Sequence, residues 1–275
     1  MKHTDIHLLN NQYKPHMKQH FFSSLSLLTA AVMALIFSLP TAAQKTTDTS
    51  SRIKVVSYNI HHGAGVDGQL DLGRIGRLIA EQQADVVAIQ ELDSATQRTG
   101  GVYQLGVLAD QLHLHATYGK TIDFQGGGYG IGILSKEKPL SVKRIALPGK
   151  EPRMLLVCEF DRYIFGCTHL SLQADNRMKA LDILKAEAQR AHKPFIVAGD
   201  WNAQPDSKFI TSLKKDFRIV SGEKQPTYPA VLPNERIDYI AALKHGGVVS
   251  QSHGVIDEPT ASDHRPIWAV LQLKK

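Results

Sequence analysis

Thiols, long apolar runs and clustered basic charge are all scarce in this sequence of 275 residues. Its two cysteines, Cys158 and Cys167, form no Cys-x-x-Cys pair, which leaves out thiolate metal sites. Successive strands joined at Asp161-Arg162 would put them on the same face but not directly opposite. Buried free thiols are therefore expected rather than a disulfide, even in an exported protein. Aromatic residues make up 7% and no basic run is interleaved with them, which argues against a dedicated DNA-binding surface. The one extended apolar run, Leu25 to Leu39, is short for a membrane span of ~20 residues. A basic start precedes it and the small-residue group Thr41-Ala42-Ala43 follows, the layout of a secretory signal peptide cleaved near Ala43. No cysteine closes the run as a lipoprotein would require.

The expected organisation is a signal peptide over 1–43 (with Met17 as an alternative start), a disordered lead over 44–51, and a single domain over 52–275. The product would be periplasmic or extracellular, with no span left after cleavage. Removing 1–43 takes away Lys2, Lys14, Lys18 and Asp5, so the formal charge falls from +6 to +4. That would attract an anionic substrate mildly, without amounting to a nucleic-acid grip.

What is present is a series of short apolar runs bounded by turn residues: 52–60, 84–92, 129–136, 153–160, 163–172, 194–202, 237–243 and 266–273. Their Val, Ile and aromatic content reads as strand, and the nearly continuous ones as strands buried on both faces. Helical spacing recurs over 72–83, with Asp71 as N-cap, over 102–113, and over 174–192, which opens with Asp175. The Gly-rich stretch 121–130 reads as a flexible turn before a strand. No Lys-Ser/Thr follows it, so it is not a nucleotide-phosphate loop. Short turns between central strands imply antiparallel pairing, and sheets packed on each other with helices outside would fit.

Several strands end in polar residues. Asn59 closes "VVSYNI", Glu91 closes "VVAIQEL", and His169 sits inside "GCTHLSL". Asp200 and Asn202 close "FIVAGDWN", Asp238 lies within "RIDYI", and Asp263-His264 precedes the last strand. Each alone has an ordinary reading as a strand terminator or a solvated carboxylate. Asp238 is less ordinary, because a carboxylate between isoleucines needs a partner. Together, four carboxylates, two asparagines and two histidines at strand termini can converge at one end of a sheet stack. Hard oxygen ligands without cysteines favour Mg²⁺ or Mn²⁺ over zinc. With an acid–histidine pair, they describe metal-assisted hydrolysis at phosphorus.

The ordered series "SYNI", "QELD", "GYGIGILSK", "THLSL", "GDWNAQP", "RIDYI" and "SDHRPI" resembles the endonuclease/exonuclease/phosphatase superfamily over 52–273. The resemblance implies a four-layered αββα sandwich, two mixed β-sheets packed face to face with helices outside, and Mg²⁺-dependent phosphoester cleavage. It implies that Asn59, Glu91 and Asp263 serve the metal, with Glu91 the direct ligand. His264 would handle the nucleophilic water and Asp238 would orient it. His169 would donate to the scissile phosphate, while Asp200 and Asn202 would position the water or a second metal. Whether His264 or Asp200 is the base stays open. His61 and His62 lie outside the family pattern and read as loop residues, and Arg98 is a possible anion contact. The expected function is that of an exported monomeric hydrolase of a small or lipid-derived phosphoester. The alternatives are a nuclease and, in another class, a non-catalytic binding module on the same fold.

Overall fold

The computed structural model describes residues 51–274, so the expected signal peptide and most of the lead lie outside the described residues. In chain order the strands and helices are β1 (Arg52–Asn59), α1 (Leu72–Gln82), β2 (Val86–Ser94), α2 (Gln104–Leu112), β3 (His115–Phe124), β4 (Gly127–Ser135), β5 (Ser141–Leu147) and β6 (Arg153–Glu159). They continue with β7 (Ile164–His169), α3 (Ala174–Gln189), β8 (Phe195–Asp200), α4 (Lys208–Leu213), β9 (Phe217–Ile219), β10 (Asp238–Leu243), β11 (Val248–Val255) and β12 (Ile267–Leu273).

Two six-stranded sheets result, in the orders β11-β12-β1-β2-β4-β3 and β5-β6-β7-β8-β10-β9. Each is mixed: β1–β2 and β7–β8 are the parallel pairs, and the remaining pairings are antiparallel. A parallel pair needs a crossover, and α1 and α3 supply them.

Three apolar layers hold the stack together. The middle one lies between the sheets and contains Val55, Ile133, Phe165, Ile196, Ile240 and Leu271. An outer layer under α1 and α2 packs Ile75, Ile79, Leu105 and Leu108 against Val56, Val87 and Ile89. The other packs Leu181, Leu184, Phe209 and Leu213 of α3 and α4 against Leu155, Val197 and Tyr239. Burial of each such side chain contributes roughly 1.5–3 kcal/mol. Interior strands are covered on both sides, which explains their unbroken apolar runs. The layers are helix, sheet, sheet, helix.

Local expectations fare unevenly. Asp71 caps α1, its carboxylate accepting from Arg74 N at 2.8 Å. Asp175 does not cap α3: Gln173 holds the N-cap position without a side-chain bond, and Asp175 sits in the first turn, where negative charge suits the helix dipole. The Gly-rich stretch is not a flexible turn either. It is the end of β3, a tight turn at Gln125-Gly126 with positive φ at both, and the start of β4. Cys158 and Cys167 are buried free thiols; Cys158 pairs with Phe165 and Cys167 with Leu156, so the two are diagonal neighbours facing the other sheet.

Candidate active site

Two strand registers build one wall of the site. His169 pairs with Asp200 across β7–β8, and Asp200 pairs with Asp238 across β8–β10. Because side chains alternate along a strand, these three lie in one row, two residues beyond Cys167, Ala198 and Ile240, which meet at the inter-sheet face. The row is therefore where the apolar layer ends and polar chemistry begins. Gly199 makes the register possible: a Cβ there would fall 1.8 Å from the Thr168 carbonyl oxygen.

The other wall is made differently. Between Ile89 and Leu92, β2 carries an extra residue opposite β4, and Glu91 within this bulge has φ +59°. A bulge re-aims the side chain it displaces, and here Glu91 reaches the cleft instead of following the pleat. Asn59 ends the neighbouring β1, fully buried. Its amide nitrogen donates to Glu91 Oε1 at 2.9 Å and to Asp200 Oδ2 at 3.1 Å, bridging the two sheets. The amide oxygen faces away and accepts from His61 N.

The Ser262–His264 turn closes the site from above. Ser262 Oγ donates to the Asn59 carbonyl at 2.7 Å, and Ala230 N donates to the Asp263 carbonyl, so the turn is anchored on both sides. His264 is thereby held with Nδ1–H donating to Asp238 Oδ2 at 3.0 Å and Nε2 3.7 Å from Asp200 Oδ2. Thr227 Oγ1 donates to the same Asp238 oxygen at 2.6 Å, while Asp238 Oδ1 has no partner.

Electrostatics sort these groups. Burial alone would lower the pKa of His264, but the carboxylates of Asp238 and Asp200 outweigh it and hold the pKa at about 10. Asp200 moves up to about 7, chiefly through burial and against the pull of His264. Burial, with Arg153 and His264 nearby, pushes His169 well below its ordinary value and keeps it neutral; its Nε2 lies 3.4 Å from Asp200 Oδ2.

The wall residues open onto one cleft of about 530 Å³, lined by Glu91, Asp200, Asp263, His169, His264 and Asn202 among others. Asn202 contributes from a left-handed turn (φ +49°), its backbone N–H on Asp200 Oδ1 and its side-chain N–H on the Leu170 carbonyl. Asp263 reaches the cleft but lies outside the tight group formed by Asp200, Asp238 and His264. All eight residues singled out from the sequence thus gather here, Asp238 from behind His264.

Residues 56–264 match the model of the Endonuclease/Exonuclease/phosphatase family. The chain belongs to the endonuclease/exonuclease/phosphatase family. As a member of that family it is a phosphoester hydrolase, in a group that typically depends on a divalent metal. No curated protein matches it in sequence. Among solved structures it is similar to an endonuclease/exonuclease/phosphatase from Beutenbergia cavernae, with a TM-score of 0.67 and 21% identity, covering 81% of this chain and 72% of that one. It is also similar to the mannosyl-6-phosphatase of Bacteroides thetaiotaomicron (TM-score 0.64, 16% identity, 80% and 99% covered). A humanized D. rerio TDP2 is a third likeness (TM-score 0.65, 21% identity, 81% and 100% covered). At such identities these structures speak for the shared fold.

The donor set of this family member fits a divalent cation. The cleft lining carries five carboxylates, Glu91, Glu151, Asp200, Glu235 and Asp263, against one guanidinium, Arg153. Arg153 is itself paired with Glu151 at 2.7 Å. A phosphate anion would meet net repulsion there unless a cation intervened. Arg98, expected as an anion contact, lines a neighbouring cavity rather than this cleft; its Nε and Nη2 bond buried Asp93 at 2.7 and 2.8 Å and its guanidinium lies over the ring of Phe124.

Several site residues had no sequence signal. Thr227 and Tyr228 come from a loop whose position depends on Arg236, a nearly buried guanidinium donating to the carbonyls of Ser221, Gly222 and Gln225. Arg236 stands two residues before Asp238 in "RIDYI", on the same side of an extended chain, and that spacing of a cation and an acid was the available hint.

Proposed function

We propose that this chain is an exported, monomeric hydrolase of a small or lipid-derived phosphoester, using Mg²⁺ or Mn²⁺. One observation carries the reading: an imidazole–carboxylate pair, His264–Asp238, faces a cleft whose carboxylates outnumber its guanidinium five to one. Glu91, Asp263 and Asp200 would hold the cation, with Asn59 keeping Glu91 and Asp200 together. Bound there, it would offset charge on the phosphoryl oxygens and make water easier to ionise.

The chain's own residues account for the rest. Asp238 fixes the ring of His264 and stabilises its charged form, and Thr227 holds Asp238 in turn. With the cleft's carboxylates uncompensated, Asp238, Asp200 and Asp263 keep His264 protonated at neutral pH, and a cation held by Asp200 and Asp263 would offset part of that pull. In its unprotonated form His264 can take a proton from water at Nε2 and return it to the leaving oxygen. His169, neutral, has an N–H to give to a phosphoryl oxygen as charge develops. Arg153, beside His169 Nδ1 at 3.5 Å, adds the only fixed positive charge in the lining. The mannosyl-6-phosphatase among the similar structures supports a sugar phosphate as the first substrate to try.

The test is hydrolysis of aryl phosphomonoesters and diesters, sugar phosphates, phospholipids and plasmid DNA by the purified protein, with Mg²⁺, Mn²⁺ or EDTA. His264→Ala should lower kcat by roughly 10²–10⁴-fold on whichever substrate turns over. Wild-type inactivity across that panel with either cation would end the proposal.

A further inference from the structure

Directly after Asn59 the chain makes a turn that costs conformational energy. His61 (φ +45°), His62 (φ +46°) and Gly63 (φ +79°) are all left-handed, a conformation natural to glycine and unfavourable for histidine. The turn is nonetheless firmly held. His61 N donates to Asn59 Oδ1, Gly63 N to the Ile60 carbonyl, Asp71 N to the Gly63 carbonyl, and Gln104 Nε2 to the His62 carbonyl. These four bonds hold a backbone that neither histidine favours and so fix where the two rings can go.

Those side chains converge. One ligand atom each from His61, His62 and Glu91 lies within 4.8 Å of the others, and all three residues are half-buried. Nδ1 of His61 is 3.2 Å from the Ala64 carbonyl, which can only accept, so the neutral ring turns its lone pair outward at Nε2. An imidazole held by a backbone carbonyl in this way is oriented as metal-ligating histidines are. The adjoining cavity of about 190 Å³ is lined further by Arg98, Glu151, Ile122, Phe124 and Tyr129. The Arg98 charge there is answered by Asp93 and the Glu151 charge by Arg153, leaving the Glu91 carboxylate in excess.

We propose that His61, His62 and Glu91 form a second cation site, beside the oxygen-lined position, that takes a borderline transition metal such as Zn²⁺ or Co²⁺. Two imidazoles and one carboxylate suit such ions better than Mg²⁺, and three protein ligands leave coordination positions open to a substrate oxygen. The site borrows Glu91 from the hydrolase reading but needs none of its chemistry.

Binding of Co²⁺, followed by its visible d–d absorption and by calorimetry in excess Mg²⁺, tests this on the full chain. One Co²⁺ per chain should persist under Mg²⁺ and be displaced by Zn²⁺. His61→Ala and His62→Ala should each weaken it at least ~10-fold. His62→Gly relieves the backbone, so it should keep or raise Tm while still losing the ion, which separates ligation from folding. Co²⁺ held only in competition with Mg²⁺, or unchanged by all three substitutions, would overturn the site. Phosphoesterase activity is a separate readout: a protein that binds Co²⁺ in this way yet hydrolyses nothing would sink the proposed function and leave the second site standing.

Discussion

Each sheet offers the cleft the ends of one parallel pair, β7–β8 from one side and β1–β2 from the other, but they do so by opposite means. On the β7–β8–β10 side the strands run flush. His169, Asp200 and Asp238 sit opposite one another in unbroken register, at 6%, 2% and 1% exposure. On the β1–β2 side the register is broken, and Glu91 reaches the cleft through a bulge beside a left-handed histidine turn, half-buried. Regular pairing yields fixed distances and low solvation, which suit proton handling. Irregular backbone yields reach and exposure, which suit holding ions that must enter from water.

Substitutions on the two sides should therefore fail in different ways. The largest effect is expected from Asp238→Asn, which keeps the shape but removes the charge behind His264. kcat should fall roughly a thousandfold or more, while the cation concentration for half-maximal rate stays put. The His264 imidazole should titrate well below its wild-type value of about 10 by NMR. The sign follows from a folded pKa raised above the ordinary ~6.5. The pair's stabilisation is complete below that value and fades as pH rises through about 10, so Asp238→Asn should flatten the alkaline limb of stability. Glu91→Gln should invert the pattern, raising the cation requirement by at least ~10-fold with His264 titration little changed. If both variants showed the same cation dependence, the division between the walls would be lost.

Smaller effects sharpen the contrast. Thr227→Val removes one donor to a buried charged acceptor and should cost about 1.5–3 kcal/mol in chemical denaturation, with a modest loss of kcat at unchanged cation dependence. Asp71→Ala keeps the backbone bond from Asp71 N to the Gly63 carbonyl, so it should cost about 1 kcal/mol of stability through the lost cap and leave turnover untouched. A turnover defect there would tie α1 to the cleft more closely than its contacts suggest.

The eight strands legible in the sequence are the eight interior strands, and the four that were not, β3, β5, β9 and β11, are the four sheet edges. Edge strands face water on one side. Ser141–Leu147 buries only its last residue and carries Lys143 and Arg144, so no apolar run announces it. The polar set was legible for the converse reason, since charged and amide residues closing buried strands stand out against their neighbours. What stayed hidden depended on register and reach. Nothing in "VVAIQEL" signals a bulge at Glu91, and nothing in "QPTYPA" places Thr227 on Asp238. The histidine turn read as an ordinary loop because φ leaves no mark on composition.

The place of β12 has a consequence for timing. It is the last strand in chain order, yet it lies against β1, the first, and the turn that delivers His264 immediately precedes it. The imidazole proposed to carry the proton therefore reaches the cleft with the strand that closes the sheet over β1, after the other described walls of the cleft have been made. Removing residues 264–275 would take away that imidazole and leave β1 without its antiparallel neighbour at one stroke.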